Sequence, residues 1–415
     1  MADLDVTDTG DNLRASPVSG AGASPKADSA ALVVAFFLPQ FHSIKENDKW
    51  WGEGFTEWTN VRRGQPWFDG HDQPKVPTML GYYDLRDLDV HHAQAALARA
   101  YGVGAFCYYA YWFAGRRLLE APLNLVARNP DLAMPYAICW ANEPWSRRWD
   151  GSEDAVLMPQ HHSPDGDAGF IDDIAEHLAD PRYLRVGGRP LILVYRAGLL
   201  EEPLRTTDAL RDRSIHLGLG EPYLAMIQSW GHWEPLGYGF DSAVEFGPIG
   251  VHCRPALAVP YRGFRGSLLS YPDAIRTLLG RPAPSFPWYR IVAPGWDNTP
   301  RRGASGTVFV GATPDRFRSW LEEALRFTYL FRPPGERILF VNAWNEWGEG
   351  AFLEPDRTHG EAMLSAVRTA LASTRPYADE TAYLMQLESR ADGLLEESRG
   401  RWRSTRSRDL TALRE

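Results

Sequence analysis

The chain has 415 residues, 44% of them apolar, and a formal net charge of −9. That length suits one large barrel or two ordinary domains around a substantial core. The acidic balance argues against nucleic acid and anionic membranes as main partners, and no apolar run is long enough to span a bilayer.

Residues 1–30 are rich in Ala, Gly, Ser, Asp and Pro and read as a disordered N-terminal tail. They begin Met1-Ala2-Asp3-Leu4-Asp5, without a basic segment ahead of an apolar one, so a secretory signal is not expected and the cytoplasm is the expected location. Between Ala31 and Thr374 short apolar runs alternate with helical patterns. A strand is predicted over Leu32–Phe41, a helix over Val90–Tyr101 and a strand over Val103–Phe113. Then come a helix over Leu118–Arg128, a strand over Met134–Trp140, a helix over Asp167–Leu178 and a strand over Pro190–Tyr195. Pro203–Leu217 reads as a helix, Tyr223–Trp230 as the fifth strand and Asp241–Phe246 as the sixth. The Pro-, Gly- and Arg-rich stretch Gly247–Pro287 reads as a long insertion. Ile291–Trp296 is the seventh strand, Thr313–Phe331 a helix capped by Thr313, Arg337–Trp344 the eighth strand and Glu361–Leu371 a final helix.

Eight strands, most followed by a helix, predict an α/β fold. The architecture expected is a (β/α)8 TIM-like barrel over 31–374, with long strand-to-helix loops. Residues 375–415 form a charged, Arg-rich helical C-terminal extension. Within it Ala378–Glu397 fits one exposed amphipathic helix, either a solvated appendage or a docking element for a protein partner. Cys107, Cys139 and Cys253 are widely separated, odd in number and without metal spacing, so they read as reduced core thiols. No metal or other cofactor is expected. The 11 histidines make no ligand constellation, and the adjacent pairs His91-His92 and His161-His162 read as solvated surface.

The chain carries 16 Trp, 17 Tyr and 18 Phe, and many of the tryptophans stand beside Asn, Glu or Asp where strands end. Active sites of such barrels lie at those C-terminal ends. The first strand ends in Pro39-Gln40-Phe41-His42, the second in Tyr108-Tyr109-Ala110-Tyr111-Trp112, the third in Trp140-Ala141-Asn142-Glu143-Pro144-Trp145. The fourth ends near Tyr195, the fifth in Gln228-Ser229-Trp230, the sixth near Glu245 and the seventh in Trp296-Asp297-Asn298. The eighth ends in Trp344-Asn345-Glu346-Trp347-Gly348-Glu349-Gly350. There two carboxylates stand three residues apart among tryptophans. Glycosidic-bond chemistry uses such groups: one carboxyl moves a proton, the other carries charge or acts as a base, and indole faces stack on sugar C–H groups.

After the first strand, Trp50-Trp51-Gly52-Glu53-Gly54-Phe55-Thr56-Glu57-Trp58-Thr59-Asn60-Val61 offers Trp51, Glu57, Trp58 and Asn60 for a sugar subsite. It suits equally a loop whose aromatic residues anchor it to the barrel. His42, Tyr109, Tyr111, Trp112, Tyr195, Trp230, Trp296 and Asp297 are further candidates for substrate contact, and each also suits the upper layer of an ordinary barrel. Trp140, Asn142, Glu143, Asn345 and Trp347 complete the set.

Four of these stretches together resemble the WbsX family, which is glycoside hydrolase family 99-like and was labelled a glycosyltransferase family. They are Leu38-Pro39-Gln40-Phe41-His42, the segment Trp51–Val61, Trp140–Trp145 and Trp344–Gly350, and the resemblance runs from Val33 to Thr374. It implies a barrel acting on oligo- or polysaccharides without metal, linked to surface-polysaccharide (O-antigen) assembly. In the related endo-mannosidases the motif Asn-Glu-Trp-X-Glu-Gly carries both catalytic carboxylates, which maps them to Glu346 and Glu349. The X position, commonly His there, is Gly348 here, a departure that touches substrate identity. The resemblance further implies that the first glutamate deprotonates the sugar 2-hydroxyl, whose oxygen attacks the anomeric carbon to give a 1,2-anhydro sugar. The second protonates the leaving oxygen and later activates water.

Spacing agrees with that scheme. Residues three apart on a helix-like turn have Cβ atoms about 5–6 Å apart, on one side of the sugar, whereas an ordinary retaining pair flanks the anomeric centre at roughly 5–5.5 Å. A rival pairing sets Glu143, in an Asn-Glu-Pro stretch, across the barrel mouth from Glu346 as such an ordinary dyad. The bland reading makes Glu346 and Glu349 a helix-start pair stabilised by the dipole. Three functions therefore stand: a retaining glycosidase, a glycosyltransferase or transglycosylase, and a non-catalytic glycan-binding barrel. The transferase reading is weakened, because its Asp-X-Asp candidate, Asp87-Leu88-Asp89, precedes a helix and reads as its cap.

Overall fold

Eight parallel strands close into a ring through one strand that is broken in two. The computed structural model describes residues 30–147, 152–379 and 381. The expected tail, apart from Ala30, and nearly all of the expected Ala378–Glu397 helix lie outside those residues. In it β1 (Leu32–Phe37), β2 (Val103–Phe113), β3 (Tyr136–Trp140), β4 (Arg189–Val194), β5 (Tyr223–Ile227) and β6 (Ser242–Val244) pair in sequence. The first half of β7, Trp288–Tyr289, pairs with β6. Its second half, Ile291–Val292, pairs with β8 (Ile338–Val341), and β8 returns to β1 with Leu32 opposite Ile338. The fold is the expected (β/α)8 TIM-like barrel.

Buried Arg290 is the break in β7. Its carbonyl still accepts from Phe340 N at 3.0 Å, so the ladder to β8 continues. Its guanidinium pairs with buried Glu245 at the end of β6, Nε to Oε2, at 3.1 Å. Side chains alternate along each strand as period two requires. Val34, Phe36, Ala105, Cys107, Ala137, Cys139, Leu191 and Leu193 form one apolar cluster. Val33, Ala35, Phe37, Phe106, Tyr108 and Ile138 belong to another, shared with helix residues such as Phe317 and Trp320. Cys107 and Cys139 are free and buried, and burial pushes both thiols up; Cys253 is free and only half-buried.

Strands end earlier than their apolar runs suggest. β1 stops at Phe37 ahead of Pro39, and β7 at Val292 ahead of Pro294, because proline brings no N–H to a ladder. β5 stops at Ile227, and Trp230 lies in the left-handed region at φ 58°, which no extended strand allows.

The helices are α1 (Lys45–Trp51), α2 (Glu57–Arg63), α3 (Leu88–Ala100), α4 (Ala121–Arg128), α5 (Pro164–Asp173), α6 (Ala175–Ala179), α7 (Pro203–His216), α8 (Tyr271–Leu279), α9 (Thr299–Arg302) and α10 (Pro314–Phe331). A last helix, α11, runs over 362–379, past the expected end at Leu371. Thr313 caps α10 through Arg316 N at 3.3 Å, and Asp87 caps α3 through Asp89 N at 3.0 Å. The one helix expected over Asp167–Leu178 is two, α5 and α6. The stretch Gly247–Pro287 is not all loop: Ser267–Ser270 pairs in parallel with Thr307–Val310, and α8 follows.

Two histidine expectations are overturned. His91 is buried and its Nε2 bonds Leu85 O at 2.9 Å. His162 is half-buried with its side chain turned inward, Nδ1 3.1 Å from Asp167 and Nε2 3.0 Å from Asn142 O. Adjacent residues diverge, so one of each pair turns inward and finds a polar partner. Among the described residues no helix is long and apolar enough to cross a membrane.

Candidate active site

The segment after β8 folds back on itself at once. Asn345–Glu346 pairs antiparallel with Ala351–Phe352, and Trp347–Glu349 between them makes a single 3₁₀ turn. No α-helix begins here, so a helix dipole is not what the two carboxylates serve. Gly350 closes the turn at φ 61°, a conformation that favours glycine. In a 3₁₀ turn residues i and i+3 eclipse, which sends Glu346 and Glu349 to one side.

Both reach the same cation. Arg301, from α9, approaches Glu346 Oε2 with Nη2 at 2.9 Å and Glu349 Oε1 with Nη1 at 2.7 Å. Its Nε donates to Glu57 Oε1 at 2.7 Å. All three edges of the guanidinium are thus engaged by carboxylates, a geometry lysine lacks. Burial works against the Arg301 charge, and Glu346, Glu57 and Glu349 more than offset it, so its pKa rises. Burial pushes Glu57 up and lifts Glu346 to about 8, in both cases against the pull of Arg301.

Around the turn the supports are buried. Asn345 Nδ2 donates to Leu38 O at 3.0 Å, and Asn345 Oδ1 accepts from Leu38 N at 2.7 Å. Trp347 stacks on Phe352 with ring centres 3.7 Å apart, and its Nε1 donates to Glu354 at 2.6 Å. Tyr83 and Gln94 donate to the same carboxylate at 2.8 and 2.7 Å. Burial nevertheless raises Glu354 to about 7.

The carboxylates open into a cleft of about 190 Å³ at the C-terminal ends of the strands. Gln40 follows β1, Tyr109 and Tyr111 lie on β2, Glu143 and Trp145 follow β3, and Tyr195 follows β4. Phe246 follows β6, Trp296 follows β7, and Trp51 reaches in from α1. Gln40 Nε2 donates to Tyr111 Oη at 2.9 Å. Burial holds the phenols of Tyr109, Tyr111 and Tyr195 high, so they are neutral donors at any physiological pH. Glu143 is paired with Arg196 at 2.8 Å.

A family model described as Glycosyltransferase WbsX matches residues 33–367. The chain belongs to the WbsX family. A curated relative, "Uncharacterized protein WxcX" of Xanthomonas campestris pv. campestris, is 47% identical over 355 residues, 84% of this chain and 51% of its own. The WbsX-family chain thus spans about half the length of the curated relatives it matches. Among solved structures, an endo-alpha-mannosidase of family GH99 from Bacteroides thetaiotaomicron superposes with a TM-score of 0.54 at 13% identity, covering 84% of this chain and 98% of that one. A chain described as a glycoside hydrolase-like protein gives 0.53 at 15% identity, covering 86% and 97%. At such identities these two likenesses show the fold.

Of the residues singled out in the WbsX-family sequence, Trp51, Tyr109, Tyr111, Glu143, Tyr195, Trp296, Glu346 and Glu349 meet on the cleft. The others lie behind or beside it. Glu57 is buried against Arg301, and Asn60 Nδ2 is 3.5 Å from Glu57 Oε2, beside a second cavity. Trp58 is buried between Phe41 and Trp347, its N–H donating to Tyr83 O at 2.8 Å. Trp112 and Trp140 are buried together, with Trp140 Nε1 donating to Trp112 O at 3.1 Å. Asn142 fixes the backbone of Arg196, and Asn345 and Trp347 brace the turn from within. Asp297 is buried by His71, Gln73 and Thr299, whose hydrogen bonds outweigh burial and keep it low. His42 is buried as well, and burial lowers it to about 4. Trp230 is not among the residues lining the cleft; it is 64% exposed, with the Arg196 guanidinium 4.7 Å from its ring centre.

Sequence reasoning missed Arg301 and Gln40. Gln40 stood inside a stretch already marked as a strand end. Arg301 lies four residues beyond Asp297, beside Arg302, and only packing of α9 against α2 and the Glu346 turn distinguishes the two arginines.

Proposed function

We propose that this WbsX-family barrel is a carbohydrate-active enzyme that cleaves glycosidic bonds of a bacterial-type polysaccharide with retention. The observation that carries the reading is that Glu346 and Glu349 leave one tight turn on the same side and share Arg301. That arrangement suits substrate-assisted chemistry, in which the sugar's own 2-hydroxyl is the nucleophile. In the first step the Glu346 carboxylate takes the O2 proton, O2 bonds to C1, the glycosidic C1–O bond breaks, and Glu349 gives its proton to the leaving oxygen. In the second, Glu349 takes a proton from water, the water oxygen bonds to C1, the C1–O2 bond breaks, and O2 recovers its proton from Glu346. Two inversions give net retention. Glu143, held by Arg196 on the cleft wall, fits hydroxyl recognition.

The family's description as a glycosyltransferase supports a second reading. The same 1,2-anhydro sugar would be opened by a carbohydrate hydroxyl in place of water. Product analysis on a panel of mannose- and rhamnose-containing polysaccharides separates the readings. Shortened chains with retained configuration support hydrolysis, and elongated products or acceptor-dependent nucleotide release support transfer. Binding without turnover of any polysaccharide or sugar nucleotide would leave a glycan-binding barrel.

A further inference from the structure

Gly348 and Gly350 are glycines for different reasons. Gly350 needs its positive φ of 61°, whereas Gly348 lies outside the left-handed region, so its φ does not call for glycine. What a side chain at 348 lacks is room. A Cβ there would penetrate the carboxylate of Glu57 at Oε1 and stand 2.9 Å from Arg301 Nε. Neither neighbour yields easily, because Glu57 is fully buried against α9 and bonded to Arg301 at 2.7 Å. The guanidinium in turn is fixed on its far side by Glu346 and Glu349 at 2.9 and 2.7 Å. Three segments distant in sequence therefore interlock at one point: α2, α9 and the turn after β8.

We propose that Gly348, Glu57 and Arg301 form a single lock in which Arg301 is the positioning residue for both Glu346 and Glu349, and Gly348 is the vacancy that lets Glu57 orient it. The inference rests on the reading of Glu346 and Glu349 as the working pair. Glu57 aligns the guanidinium through Nε, and the two Nη groups then set the spacing of the carboxylates at the cleft. A side chain at 348 acts at a distance from the substrate: it dislodges Glu57, and the misaligned guanidinium releases the pair.

The test uses the full chain and a readout that needs no substrate. Water-soluble carbodiimide modifies protonated carboxyls, and mass spectrometry follows Glu346 and Glu349 as pH is varied. Arg301→Gln is expected to raise the pH midpoint of Glu346 modification by about one unit, the size of effect a neighbouring opposite charge exerts. Gly348→Ala is expected to move it in the same direction. With Glu57→Ala already present, Gly348→Ala adds less than it does alone, because the carboxylate it would strike is gone and only the 2.9 Å approach to Arg301 Nε remains. Circular dichroism checks folding; if Arg301→Gln does not fold, Arg301→Lys and Gly348→Ala carry the test. Midpoints in folded Arg301→Gln and Gly348→Ala equal to the parent's overturn the proposal, as do additive shifts in the double variant. Where the parent turns over a polysaccharide of the panel, kcat falls in Gly348→Ala while KM stays near the parent value. A parent that turns over none refutes cleavage and leaves the modification test intact.

Discussion

Asn345 holds both peptide groups of Leu38, accepting from its N–H at 2.7 Å and donating to its carbonyl at 3.0 Å. The end of β1 is thereby stapled to the segment that carries the carboxylates. Asn345→Ala leaves two buried main-chain groups unsatisfied, a loss of about 1–3 kcal/mol for each. Denaturant unfolding is expected to show a loss of about 2–6 kcal/mol for the two together, with activity reduced at least as strongly as in a variant of equal instability elsewhere.

Glu349→Gln removes the group that gives a proton to the leaving oxygen. A fall in kcat of about 10²–10⁴-fold is expected. Glu143→Gln should act on KM instead. If Glu143→Gln abolishes cleavage while Glu349→Gln spares it, the two carboxylates have been assigned the wrong roles.

A base must be ionised to work. Burial first, tempered by Arg301, places Glu346 at about 8, so the fraction able to accept the O2 proton grows as pH rises through that value. The pH profile of kcat/KM is expected to show its acid limb near pH 8. A flat profile from pH 6 to 9 would count against Glu346 as the base.

Glu354 makes a prediction about stability alone. Its folded pKa, about 7, lies above the ordinary 4.5 because burial outweighs its hydrogen bonds from Trp347, Gln94 and Tyr83. The folded chain holds this proton more tightly than the unfolded one, so the contribution is complete below pH 4.5 and is lost as pH rises through 7. At about 1.36 kcal/mol per unit the loss comes to somewhat over ~3 kcal/mol. Chemical denaturation between pH 4.5 and 8 should show this decline, and Glu354→Gln should flatten it.

Trp230 presents its ring outward from a left-handed backbone at φ 58°. Glycine suits that conformation better, at a saving of about 1–2 kcal/mol that offsets the lost contact with Arg196. Trp230→Gly is expected to melt near the parent temperature while raising KM several-fold for long oligosaccharides more than for short ones. Equal effects on both lengths would place Trp230 outside the substrate path.

The eight strands were legible because the apolar runs are short, separated by helical patterns and rich in β-branched and aromatic residues. Their ends were not, since Pro39 and Pro294 cut the ladders inside runs that remain aromatic. The segment Trp344–Gly350 could be placed at a strand end from sequence, with its carboxylates three apart. A linear pattern holds local periodicity and turn chemistry, and these determined the barrel and the position of Glu346 and Glu349 on it. Which cation meets them, why residue 348 has no side chain, and which tryptophans face the cleft were decided by tertiary packing. Arg301 is 244 residues from Glu57 and 45 from Glu346. Only closure of the barrel sets one guanidinium among three carboxylates, and one of those carboxylates, that of Glu57, fills the space a side chain at 348 would have taken.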